Sequence, residues 1–106
     1  HMGGWQMWDD VEKYLCGKNV YFDSAFCCVD YAYNDKVKEE EKVPVMNENR
    51  FLSLSRAHGV DRVLFGTDSP WADQKPQVDF MNKISLSKDE REKILFKNAL
   101  KLLEIQ

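Results

Sequence analysis

The sequence predicts an α/β fold in which a short parallel sheet is covered by helices. Three observations predict it. Helix-like and strand-like segments alternate along the 106 residues. The two strand-like runs are short and apolar throughout rather than alternating, as strands buried on both faces are. The stretch between them is long enough to hold a right-handed crossover with its own helix.

Spacing defines the first element. Trp5, Trp8, Val11 and Leu15 recur three or four apart, with Asp9, Asp10, Glu12 and Lys13 between them. That is the pattern of an amphipathic helix, and its face, including Trp5 and Trp8, is expected to pack against the sheet. Gly17 suits the helix end, and Val20-Tyr21-Phe22, stopped by Asp23, reads as the first strand. From 30 to 48 the chain is polar. It carries Asn34-Asp35, the run Lys38-Glu39-Glu40-Glu41-Lys42 and Pro44, a solvated loop whose lysines balance its glutamates.

Asn47 is placed to cap a helix that carries Phe51, Leu52 and Leu54 and ends at His58-Gly59. His58 is there expected to act as a helix C-terminal cation or cap. Residues 62–66 form the second strand, and 20–22 and 63–65 are expected to be parallel neighbours. Thr67-Asp68-Ser69-Pro70-Trp71 is too polar and too constrained to continue a sheet. Pro76 can open a helix with Val78, Met81 and Ile84 on its buried face. Ser87 and Glu90 make a capping box ahead of the stripe Ile94, Leu95, Ala99, Leu102 and Leu103.

Charge and composition narrow the partners. The formal charge of −3 mixes both signs along the chain, so no basic stripe favours nucleic acid and no polybasic run favours an anionic membrane. No apolar stretch approaches the roughly 18 residues of a membrane span, and no leader-like segment precedes the first helix; a cytoplasmic protein is expected. Cys16, Cys27 and Cys28 lack metal-type spacing and read as reduced, buried thiols.

Asp68 is the foremost candidate for chemistry. It stands just beyond the C-terminal end of a buried strand, where parallel α/β folds place reacting groups. A carboxylate there can bind a divalent cation or take a proton from water on that cation, and Gly66 and Pro70 would shape the tight exit that aims it. The competing reading is a loop cap.

His1, followed by Met2-Gly3-Gly4, can reach the same mouth if the glycines turn the chain sharply from a strand end into the first helix. A neutral imidazole suits metal ligation or carbonyl polarisation, although His-Met is also what a cleaved expression tag leaves behind. Trp71 is either a pocket wall or a packing residue. Asp23 is expected to cap the loop after its strand rather than share a metal with Asp68.

These residues carry a family resemblance. Val63-Leu64-Phe65-Gly66-Thr67-Asp68-Ser69-Pro70-Trp71 is similar to the eighth-strand motif of the amidohydrolase-related family, and His1-Met2-Gly3-Gly4 resembles the ending of the sixth strand. Val20-Tyr21-Phe22-Asp23 resembles the seventh strand. Ile94 through Leu103, with Asn98-Ala99, resembles the closing helix.

The resemblance covers the whole chain in order. It implies the C-terminal portion of a TIM-like (β/α)8 barrel, from the end of strand 6 through strand 8 and the closing helices, as one unit over 1–106. A complete barrel of this kind takes about 250 residues. The activity implied is that of a metal-dependent hydrolase acting on a small polar substrate through metal-activated water, with zinc as the expected ion. Asp68 would be ligand and proton acceptor, His1 would assist the metal or the substrate, and Trp71 would line the substrate site. Related branches are decarboxylases, and TatD-like deoxyribonucleases carry a similar Thr-Asp-x-Pro segment.

The family also holds its metal with a His-x-His pair on the first strand and a histidine on the fifth, and this sequence has neither. The chain is therefore read as a fragment, inactive by itself. The alternative is a non-enzymatic α/β assembly module, whose open strand edges would favour self-association.

Overall fold

The computed structural model describes residues 1–28 and 45–105, so Glu39-Glu40-Glu41 and most of the polar stretch 30–48 lie outside the described residues. Helix α1 (Trp8–Tyr14) leads to strand β1 (Phe22–Asp23). Helix α2 (Glu48–His58) and a 3-10 turn (Val60–Arg62) lead to strand β2 (Val63–Leu64). Helix α3 (Gln74–Lys83) comes next, and the C-terminal helical segment consists of α4 (Lys88–Glu92), a π-helical turn (Lys93–Lys97) and α5 (Asn98–Leu102). Among the described residues, no helix is long and apolar enough to cross a membrane.

The two strands are parallel neighbours, with Phe22 opposite Val63 and Asp23 opposite Leu64, as the apolar runs predict. The first strand starts later than its β-branched and aromatic run suggests. Val20 and Tyr21 are exposed, and the Val20 carbonyl accepts a hydrogen bond from a side chain rather than from a neighbouring strand. Phe22 and Val63 are buried on the helix-covered side together with Phe51, Leu54 and Ile94.

Cap chemistry sets the helix starts. Asn47 Oδ1 accepts from the backbone N–H of Arg50 at 2.8 Å, satisfying one of the donors that the first turn of α2 leaves open. The helix ends where predicted, at Gly59, whose φ of 107° is one that side chains rarely adopt. Both halves of the Ser87–Glu90 capping box form: the Glu90 N–H donates to Ser87 Oγ at 3.1 Å and the Ser87 N–H to Glu90 Oε2 at 2.8 Å. The Arg56 guanidinium also forks onto Glu90, and these bonds hold its carboxyl down at about 2.

Four expectations are corrected. Helix α1 starts at Trp8, because Gln6 takes a left-handed φ of 62° that breaks the periodicity; Trp5 therefore lies in the preceding turn and not on the helix face. In α3, Asp73 is the N-cap and Pro76 sits inside the first turn, which rotates Gln77 and Met81 inward and leaves Val78 exposed. In the C-terminal segment the π-helical turn carries one extra residue, rotating the residues beyond it by about 100°. Asn98 is thus buried, donating to the Val60 and Val63 carbonyls at 2.7 and 2.8 Å, while Leu102 and Leu103 face solvent.

The fourth correction concerns His58. It is not an exposed helix-end cation: it is 1% exposed and lies 3.9 Å, centroid to centroid, from the Phe22 ring, nearly parallel to it. The Gly17 N–H donates to its Nδ1 at 3.1 Å, which leaves Nε2 to carry the proton and donate to the Val20 carbonyl at 2.8 Å. Burial pushes its pKa down, helped by the nearby Arg62 cation and opposed by the bond to Val20. A second proton would turn Nδ1 from acceptor into donor, facing another donor.

The folded state favours neutral His58, so its contribution is fully present above the ordinary histidine value of roughly 6.5 and is lost as pH falls from there through the depressed folded value. Urea unfolding should show stability declining with acidification from about pH 6.5, with a shallower decline in His58→Gln. At pH 7.5 that variant should lose about 1–3 kcal/mol through unmet bonds to Gly17 or Val20. Ser87→Ala should lower stability by about 1 kcal/mol, read from the same unfolding curves.

Candidate active site

Parallel pairing puts the C-terminal ends of β1 and β2 at the same end of the sheet. The first residues of the sequence join them there. The Met2 N–H donates to the Asp23 carbonyl at 2.7 Å, so the backbone of residues 1–2 lies along the free edge of β1. The backbone nitrogen of His1 sits 2.8 Å from Asp23 Oδ2, an approach suited to an amide as well as an ammonium. Gly3 then turns the chain at φ 81°; a Cβ there would stand 3.0 Å from the Phe22 ring and 3.1 Å from Val11, so a larger residue would be strained by both the backbone angle and the crowding.

Asp23 keeps the role of loop cap expected from the sequence, its Oδ1 accepting from the Ala25 N–H at 2.9 Å, and adds the bond to His1. On the other side, the chain runs on from β2 through Phe65, Gly66 and Thr67 to Asp68. The Phe65 N–H bonds the Ile94 carbonyl at 2.9 Å, and the Gly66 N–H bonds Ser24 Oγ at 3.3 Å, tying this exit to the C-terminal segment and to β1. Asp68 has a left-handed φ of 61°, and its carbonyl accepts from the N–H groups of Trp71 and Ala72 at 2.9 and 3.2 Å.

The outcome is a hollow of about 200 Å³ lined by His1, Trp5, Phe26, Asp68 and Trp71. His1 Nε2 lies 3.6 Å from Asp68 Oδ2, with both side chains about one-third exposed. The His1 imidazole stacks on Phe26 at 5.6 Å, and Trp5 meets the same ring edge-on at 6.0 Å. The three residues singled out in the sequence, Asp68, His1 and Trp71, thus share one hollow. Trp71, at 75% exposure, is a wall of this hollow and not a packing residue.

Trp5 and Phe26 are lining residues that sequence periodicity misses. Trp5 fits the helical spacing yet lies outside the helix. Phe26 had one usable signal: it comes three residues after the strand end at Asp23, in the exit loop where parallel folds place functional groups.

Two donors 3.6 Å apart can both reach one cation at ordinary bond lengths of about 2.0–2.2 Å. An imidazole nitrogen with a carboxylate oxygen is a usual donor pair for a divalent transition metal. A third ligand is needed for a catalytic site, and among the described residues no three His, Cys, Asp or Glu side chains converge to supply it. The cysteines do not contribute. Burial pushes the Cys27 thiol up to about 12 and raises Cys28 and Cys16 as well, so the thiolate is disfavoured at neutral pH.

Comparison with known proteins bears on the family and the fold. The sequence profile of the amidohydrolase family matches residues 1–105. A search of curated proteins gives no match. Among solved structures, a dihydroxybenzoic acid decarboxylase from Polaromonas sp. JS666, with bound manganese and the inhibitor 2-nitroresorcinol, superposes with a TM-score of 0.61 at 21% identity. That superposition covers 90% of this chain and 23% of the decarboxylase. The 2,6-dihydroxybenzoate decarboxylase from Rhizobium gives a TM-score of 0.61 at 20% identity, over 89% of this chain and 23% of its own. At such identity the likeness establishes the shared fold, and the chain spans under a quarter of either enzyme. With two parallel strands that open on a common mouth, and with the family profile matched along nearly its whole length, this chain belongs to the amidohydrolase family.

Proposed function

We propose that the hollow between His1 and Asp68 is one side of the reaction mouth of a metal-dependent enzyme acting on a small polar substrate, with hydrolysis as the reaction. The observation that carries this reading is the 3.6 Å approach of His1 Nε2 to Asp68 Oδ2 at the C-terminal ends of parallel strands. Asp68 and His1 would hold a divalent ion together with ligands from the remainder of the barrel. Such an ion lowers the pKa of a bound water and stabilises negative charge on a substrate oxygen.

Asp68 acts by accepting the proton that the attacking water releases, because one carboxylate oxygen can ligate while the other stays basic. His1 Nε2 serves either as ligand or as donor to the substrate oxygen; one nitrogen cannot do both in the same step. Trp71 and Trp5 form an apolar wall that shields the reacting group. Zinc is the first ion to test, and manganese, present in one of the fold neighbours, is the second.

A second reading, decarboxylation, is favoured by the aromatic lining from Phe26, Trp5 and Trp71 and by the activity named for both fold neighbours. There the bond from carbon to the carboxylate breaks, carbon dioxide leaves, and the carbon takes a proton, for which His1 is the available acid. Detection of released carbon dioxide against released acid, amine or alcohol separates the two readings.

Two results test the assignment. In the complete barrel containing this chain, Asp68→Asn nearly preserves shape but removes the proton acceptor. Turnover should fall by about 100-fold to 10,000-fold with little change in melting temperature, whereas Asp79→Asn on the exposed side of α3 should change neither. Near-normal turnover in the Asp68 variant would overturn the role. The isolated chain, with two donors and no third ligand among the described residues, should show no tight one-to-one step in calorimetric titration with zinc. Stoichiometric binding that Asp68→Ala abolishes would contradict the incomplete site.

A further inference from the structure

Two non-glycine residues that line the hollow, Phe26 at φ 65° and Asp68 at φ 61°, are left-handed. Side chains rarely accept that conformation, and it persists only where the surroundings over-determine it. Neither residue stands on a helix or strand that would hold it. What the two share is a single side chain from α3, Gln77, which is 4% exposed.

The Gln77 amide reaches both. Its Oε1 accepts from the Phe26 N–H at 3.4 Å, which belongs to the peptide unit leading into Phe26. Its Nε2 donates to the Thr67 carbonyl at 2.6 Å, which belongs to the peptide unit leading into Asp68, and to the Asp73 carbonyl at 3.3 Å. The side chain therefore fixes the plane of the peptide that precedes each left-handed residue. Rotation of either peptide would strand a polar group of a buried amide, which no apolar neighbour could satisfy. Asp73 anchors the donor end, because it caps the helix from which Gln77 projects.

We infer that Gln77 is a positioning residue for the mouth: it holds Phe26 and Asp68 in the left-handed conformations that place an aromatic ring and a carboxylate on the same hollow. It touches no reacting atom and acts through the two backbones. The inference rests on reading that hollow as the reaction mouth. It deepens that reading by naming the group that sets the spacing between the Phe26 ring, on which His1 stacks, and the Asp68 carboxylate.

The test reads backbone angle and not turnover, so it succeeds or fails independently of the Asp68→Asn activity measurement. One-bond Cα–Hα couplings, measured by NMR on the whole chain, distinguish left-handed residues from others. Gln77→Glu keeps the acceptor for the Phe26 N–H but removes both donors. Asp68 should then lose its left-handed signature while Phe26 keeps it. Gln77→Leu removes every bond, and both residues should lose it, while Gln6 and Glu104, left-handed elsewhere in the fold, keep theirs.

An unchanged Asp68 signature in folded Gln77→Glu would overturn the inference. So would loss at Gln6 and Glu104 in step with Phe26 and Asp68, since that reports general loosening. Should both variants fail to fold, the unaltered chain decides. A through-hydrogen-bond coupling between Gln77 Nε2 and the Thr67 carbonyl carbon supports the inference, and its absence overturns it.

Discussion

Everything at the mouth depends on the parallel register between β1 and β2, in which Phe22 faces Val63 and Asp23 faces Leu64. Parallel strands deliver their C-terminal ends to one side of a sheet, and only there can residues far apart in sequence meet at an exit loop. A one-residue slip of β1 would turn Phe22 away from the helices and send Asp23 into the core. Burial of the Phe22 side chain therefore protects the alignment of the exits, although it does not line the hollow.

So short a sheet cannot hold itself, and helices and side chains supply the rest. Arg50 on α2 pairs with Asp9 and Glu12 on α1, and Arg56 on α2 forks onto Glu90 at the start of α4. Exposed pairs of this kind contribute little energy, yet they fix which helix lies beside which. Stronger constraints come from a half-buried and a buried donor. Arg91 gives its guanidinium to the carbonyls of Met81, Ile84 and Leu86, closing the link between α3 and α4, and Asn98 holds the end of β2 from the other side.

The outer surface shows a different balance. Phe96, Leu100 and Leu103 are exposed, although Ile94 on the same segment is buried, so apolar residues extend around more of the helix than one contact face requires. Among the described residues the sheet likewise has two strands, and this chain spans 23% of the length of either fold neighbour. Apolar cover and open edges are what a segment of a larger closed sheet presents when seen by itself.

Local chemistry was legible from the sequence because it acts over a few residues. The Asn47 cap, the glycine that ends α2, the Ser87–Glu90 capping box and the two buried strands depend on neighbours within a turn or on apolar runs, and the motif around Asp68 carried the family. Periodicity failed where one residue changed the phase. The left-handed Gln6 separated Trp5 from its helix, the cap at Asp73 turned Gln77 inward in place of Val78, and the π-helical turn exposed Leu102 and Leu103. His58 looked like a helix-end cation because sequence shows position along a helix but not what lies above it; Gly17, Val20 and Phe22 come from another part of the chain and together make it a buried neutral ring. The sequence by itself determined the elements, their order and the candidate residues at the strand exits. Tertiary structure alone decided which of those residues share a hollow, because hydrogen bonds such as those of Gln77 to Phe26 and Thr67 join atoms that no local spacing relates.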